Sequence, residues 1–335
     1  MPAVPPPILV APDSFKGTLR AAQVAASVGA GIEAAGLVPP DLCPVADGGE
    51  GTLEVLLTAL GGETAGASVT DPLGRPISAG FALIEEGGTA IVEVAEASGL
   101  HLVAEDERDA YAATTRGTGE LIVAACAAGA GVVVVAAGGS ATTDGGAGAI
   151  EAIEEAGGLQ GATLVVLADV RTPFELAAER FGPQKGADAE TVKRLERRLQ
   201  HQAAELPRDP RGVPMTGAAG GLGGGLWAQY GAKLEPGAPF ILQALDFDRR
   251  MRAARAVVVG EGRMDATTLE GKIAGEIATR ARQAGVPCHA IVGSNAIDRF
   301  SARILDLQLI YEAGTPEALQ QAGEDLGRRI DAGEA

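Results

Sequence analysis

Short apolar runs alternate along this chain with stretches whose apolar residues recur every three or four positions, the pattern of strand–helix units. Ile8-Leu9-Val10-Ala11 predicts a buried parallel strand ending at Asp13. After Gly17, Val24, Val28 and Ile32 lie at helical spacing, and Gly36 is the expected stop. A second helix is predicted over 52–60, behind Asp47 to Gly51. Over 67–97 the texture changes, because Asp71-Pro72-Leu73-Gly74-Arg75-Pro76 and Gly87-Gly88 are turn chemistry between extended runs, predicting antiparallel hairpins. Helix is expected over 118–128, strand over 132–136, helix over 146–156 and strand over 164–168.

Thr172-Pro173-Phe174-Glu175 has capping-box spacing with proline at the first helical position, so a helix should start there. A charged helix is predicted over 188–206, and the glycine-rich stretch over 217–225 reads as a close-packing loop that opens a helix. Strands follow over 256–259 and 289–292. Thr267 to Glu270 repeats the capping-box spacing before a helix ending near Gly285, and Thr315-Pro316 opens the last helix. Strand–helix alternation thus occupies both ends, with hairpin texture inside. The simplest arrangement is a discontinuous parallel-sheet domain over 1–65 and 240–335, interrupted by a mixed α/β domain over 66–239.

Length agrees, since 335 residues exceed what one core normally supports. Hydrophobic residues reach 46% but aromatics only 3%, so the cores are built from Ala, Val, Leu and Ile, which suits α/β layers. A net charge of −17 provides no basic face to displace counterions, which argues against nucleic acid as partner. Cys43, Cys126 and Cys288 show no paired spacing, so neither a disulfide framework nor a zinc site is expected, and the cytoplasm is the natural compartment. The first residues lack the pattern of a signal peptide. The apolar run over 121–137 is divided by Gly129 and Gly131 into pieces too short for a bilayer, so no membrane role is expected.

The candidate chemistry lies in four glycine-rich segments beside apolar runs. They are Asp13-Ser14-Phe15-Lys16-Gly17, Asp47-Gly48-Gly49-Glu50-Gly51, the loop from Gly138-Gly139-Ser140 through Asp144 to Gly146, and Gly260-Glu261-Gly262-Arg263-Met264-Asp265. Glycine lets a backbone come close to a ligand and present its N–H groups, while carboxylates beside it hold a metal or take a proton. That mixture suits phosphoryl transfer. No segment has Walker A spacing or a full G-x-G-x-x-G, and His101, His201 and His289 lie outside all four, so a serine–histidine hydrolase has no visible base. Glu261, Arg263 and Asp265 at alternate positions after a strand suggest a metal and phosphate clamp. Asp144 is read equally well as a helix cap or a ligand contact, and Lys185 equally well as a loop lysine or a functional one.

These residues resemble the bacterial glycerate kinase family. The likeness runs from Ile8 to about Ser294 and is carried by APDSFKG (Ala11 to Gly17), PVADGGEGT (Pro44 to Thr52), DPLGRP (Asp71 to Pro76), EVAEASGL (Glu93 to Leu100), TTRGTGELI (Thr114 to Ile122), GGSATTDGGAG (Gly138 to Gly148), FGPQKGA (Phe181 to Ala187), TGAAGGLG (Thr216 to Gly223) and GEGRMD (Gly260 to Asp265). The resemblance implies a Rossmann-like parallel-sheet domain interrupted by a second mixed α/β domain, with the active site in the cleft between them. It implies ATP, Mg²⁺ and D-glycerate, with 2-phosphoglycerate as product and 3-phosphoglycerate as the alternative; small-molecule substrates and a homodimer are the expected partners. Competing readings are a non-catalytic metabolite-binding relative and a kinase for another small hydroxy acid.

On that resemblance, Asp13 or Asp47 is expected near the attacking hydroxyl, with Lys16 and Arg263 on the transferred phosphate and Asp265 beside them. Glu261, Asp265 or Asp169 would hold Mg²⁺. Ser14, Gly48, Gly49, Glu50, Gly138, Gly139, Ser140, Asp144 and Lys272 are expected to bind substrate or phosphate. The chain departs from the family pattern in the short stretch over 150–163, at Thr172 and at Ala266-Thr267.

Overall fold

The computed structural model describes residues 5–15 and 17–334. They fold into two compact units, one formed by the chain up to Asp47 together with Ile241 onward, the other by Gly48–Phe240. The helix Thr52–Leu60, expected with the first domain, packs on the strands Pro76–Ile84 and Thr89–Glu93 of the second unit.

The first unit carries a parallel sheet in the spatial order Leu307–Glu312, Cys288–Val292, Ala256–Gly260, Ile8–Pro12, Asp41–Leu42. Three of these strands are buried at every position and, His289 apart, carry no polar side chain, as a parallel sheet covered by helices requires. On one face Val10, Val258 and Ile291 share a core with Val28 and Ile32 of the helix Ala21–Ala34 and Leu326 of the helix Pro316–Asp331. Those two helices approach so closely that a Cβ at Gly31 would lie 2.0 Å from the Gln320 carbonyl oxygen. Only glycine fits there. Numbered within this unit, the strand order is 5-4-3-1-2, so connections leave the sheet in opposite directions between the first strand and Ala256–Gly260. In doubly wound sheets ligands bind just beyond the carboxyl ends at that point.

The second unit has a six-stranded sheet in the order Glu63–Thr70, Pro76–Ile84, Thr89–Glu93, Val132–Ala136, Thr163–Ala168, Lys233–Pro236. The first three are antiparallel hairpins, as the turn-rich texture predicts, and the last four run parallel. The helices Arg116–Ala127, Ala147–Glu155 and Leu222–Tyr230 pack on it through Leu121, Ile153 and Leu226.

Two local expectations are corrected. Pro173 rather than Thr172 stands at the N-cap of a short 3₁₀ turn, Phe174–Leu176, with no side-chain cap. Proline has no N–H and no capping oxygen, so the spacing there does not close a capping box. The second box starts earlier than expected, at Asp265: its carboxylate accepts the Thr267 N–H, and the Thr268 hydroxyl accepts the Asp265 N–H. Among the described residues no helix is long and apolar enough to cross a membrane.

Candidate active site

The switch point of the first unit opens into a cavity of about 470 Å³. Asp13, Ser14, Asp47, Glu261, Arg263 and Lys272 line it. Sheet pairing brings them together. The Asp13 N–H donates to the Gly260 carbonyl, which joins the ends of two neighbouring strands, and Cys43 and Val45 continue beside the first strand until Asp47 reaches the cavity. Gly293 and Ser294 close the far wall by donating to the carbonyls of Glu261 and Gly262. Asp13 and Asp47 are almost fully buried, and the Asp13 carboxylate accepts the Ser14 N–H at 2.6 Å. Lys16 lies outside the described residues.

Glu261 is held from two sides. One of its oxygens accepts the Thr268 hydroxyl at 2.7 Å and the other the Lys272 ammonium at 3.0 Å. Burial raises the Glu261 carboxyl above its ordinary range, and Thr268 and Lys272 offset only part of that rise. Asp265 is the opposite case: the Thr267 hydroxyl and N–H hold it below that range. Its second oxygen pairs with Arg263 at 3.2 Å, while the Arg263 side chain stays two-thirds exposed. Two carboxylates four residues apart therefore have opposed proton affinities. The hydroxyl of Thr268, which the sequence reading passed over, joins them. Its visible signal was the Asp-x-x-Thr spacing from Asp265.

The second unit collects the remaining candidates at the carboxyl edge of its parallel strands. Gly138 and Gly49 are in backbone contact, since a Cβ on Gly138 would lie 2.5 Å from the Gly49 Cα. Gly48 has φ +94°, and a Cβ there would lie 2.7 Å from the Gly237 Cα and 3.1 Å from the Leu167 Cβ, so this position too accepts only glycine. Gly139 and Glu50 are exposed beside them, and Asp169 follows the end of Thr163–Ala168 and is exposed. Glu93, also missed, is buried, accepts the Leu53 N–H at 2.7 Å and is pushed up to about 7 by desolvation.

Asp144 is completely buried. Its carboxylate accepts the N–H and hydroxyl of Thr115 at 2.8 and 2.9 Å and the N–H groups of Gly146 and Gly148 at 3.1 and 3.2 Å. It thus serves the amino ends of Arg116–Ala127 and Ala147–Glu155 together. Ser140 accepts the ammonium of Lys185 at 3.0 Å.

A switch-point cavity walled by carboxylates, an arginine and a lysine suits an α/β enzyme acting on an anionic substrate. Known proteins of similar sequence and structure agree and sharpen this. The model of the glycerate kinase family matches residues 8–158 and 155–330. A glycerate kinase of Bacillus subtilis is 40% identical over 87% of this chain and 86% of its own length. The glycerate 2-kinase of Escherichia coli K12 is 36% identical over 86% and 85%. The crystal structure of a Salmonella typhimurium LT2 protein assigned as glycerate kinase 2 superposes with a TM-score of 0.82 at 30% identity, covering 98% of this chain and 99% of that one. The chain belongs to the glycerate kinase family, and it is a kinase.

Proposed function

We propose that this enzyme transfers the terminal phosphoryl group of ATP to the 2-hydroxyl of D-glycerate, giving 2-phosphoglycerate. The observation that carries the reading is the convergence of Asp13, Asp47, Glu261, Arg263 and Lys272 on one cavity at a sheet switch point. Phosphoryl transfer needs in-line positioning and neutralisation of charge on the transferred group. Asp13 and Asp47 supply buried carboxylates to orient and accept a hydroxyl proton. Arg263 is an exposed guanidinium beside them, shaped for bidentate contact with phosphate. Lys16 is assigned to the same phosphate on the family resemblance. The E. coli relative's name, glycerate 2-kinase, supports the 2-phospho product.

The donor chemistry suits Mg²⁺, because the acidic groups here are oxygen ligands for a hard cation. Among the described residues no three His, Cys, Asp or Glu side chains form a cage. Mg²⁺ carried on phosphates requires only one or two carboxylates from a protein. Glu261 and Asp265 of the first unit, or in the alternative Asp169 of the second, are the groups we assign to it, and it would neutralise phosphate oxygens there. In the second unit the N–H groups of Gly138 to Ser140 and the loop Gly48 to Glu50 are assigned to an anionic group of one substrate.

The test is ADP release coupled to D-glycerate, with ³¹P and ¹H NMR of the product. We expect glycerate-dependent ADP and 2-phosphoglycerate. ADP release with tartronate or erythronate but not glycerate would replace the substrate, 3-phosphoglycerate would replace the position, and binding without ADP release would make the chain a metabolite-binding relative.

A further inference from the structure

Lys185 lies in the Phe181-Gly182-Pro183-Gln184-Lys185-Gly186 segment, and the proposed chemistry does not use it. Within the second unit it is 3% exposed, an unusual place for an ammonium. Its Nζ donates to the Ser140 hydroxyl at 3.0 Å and to the Thr142 carbonyl oxygen. Both acceptors are neutral, and both belong to the loop that carries Gly138 and Gly139. The carboxylate of Asp144 attracts the ammonium through space, but burial outweighs it and pulls Lys185 down to about 7. A cation buried on a hydroxyl and a carbonyl costs folding free energy, whereas an apolar side chain of similar length would fill the space without that cost. As a strut alone, lysine is a poor choice.

The hydrogen-bond direction indicates what it does. A hydroxyl that accepts from an ammonium has its own proton turned elsewhere and polarised, which makes it a stronger donor. We propose that Lys185 is a positioning residue for phosphoryl transfer, orienting the Ser140 hydroxyl as a donor to the anionic substrate group held by the Gly138–Ser140 backbone. The role rests on the reading above that this loop receives a phosphate or a carboxylate.

The test compares wild type, Lys185→Met, Ser140→Ala and the double variant in ATP- and D-glycerate-dependent turnover, together with thermal melts. We expect kcat/KM of Lys185→Met to fall about 10–100-fold, as loss of a residue behind a contact group does. The loss should lie in KM for one of the two substrates, the double variant should be no worse than the worse single one, and the melting temperature should equal or exceed that of wild type. Three results overturn the role: unchanged kinetics in Lys185→Met, losses that multiply in the double variant, or a melting temperature that drops with activity, as a structural strut would give. A wild type that releases no ADP from either substrate pair overturns the underlying reading and this role with it, whereas an active wild type with a neutral Lys185→Met overturns this role alone.

Discussion

The ammonium of Lys272 sits 3.0 Å from one carboxylate oxygen of Glu261, a group whose side chain is only 7% exposed, while the lysine remains 35% exposed at the cavity. The pair is asymmetric. Removing the lysine leaves a buried carboxylate with only the Thr268 hydroxyl, whereas removing the glutamate leaves a cation that water can reach. Lys272→Met should therefore cost about 1–3 kcal/mol at pH 8, reduced from the fully buried case by the lysine's exposure. Burial already raises Glu261, and losing Lys272 raises it further, so the cost shrinks as the pH is lowered from 8 towards 5 and protonation of the carboxyl becomes easier. Urea unfolding at both pH values checks this; equal costs would mean the carboxylate is not the cause.

Asp13→Asn and Asp47→Asn keep size and hydrogen-bonding capacity but remove the charge from the cavity. Each should lower kcat about 10²–10³-fold with little change in melting temperature. Lys16→Ala is expected to match them. Near-normal turnover in any one variant removes that residue from the chemistry.

Asp144 behaves differently, because its oxygens already serve donors at two helix ends. Asp144→Ala should destabilise the protein by about 2–4 kcal/mol, since buried N–H groups lose their acceptor. A melt like that of wild type, with turnover abolished, would assign Asp144 to substrate instead.

Glu93 should make stability depend on pH. In the folded protein it keeps its proton up to about 7, while the unfolded chain releases it in the ordinary carboxylate range. Between those values the unfolded state binds fewer protons, so this group's contribution to stability declines as pH rises through that window. Glu93→Gln retains an acceptor for the Leu53 N–H and removes the ionisation. Its melting temperature relative to wild type should rise from pH 5 to pH 8, by the equivalent of about 2–3 kcal/mol. A flat difference would show that Glu93 ionises normally.

Much of this protein could be read along the chain. Strands such as Ala256–Gly260 and helices such as Ala147–Glu155 appear as apolar runs and helical periodicity, because each is set by residues within a few positions of one another. The same holds for the hairpins around Asp71 to Arg75 and for the glycine segments that carry Asp13, Asp47 and Glu261. The very short strands Asp41–Leu42 and Arg263–Met264 had no such local signal, since a two-residue strand exists only through its partner.

The tertiary structure alone decided which charges meet. That Asp13, Asp47 and Glu261 share a cavity follows from the order of the parallel strands, a property of packing between segments more than two hundred residues apart. Lys185 looks like any loop lysine until the fold buries it against Ser140, forty-five positions away. Asp144 reads equally as cap or ligand until Thr115 arrives from another helix. Periodicity records what each residue does to its neighbours in sequence; hydrogen-bond partners and desolvation depend on neighbours in space, which only the folded chain supplies.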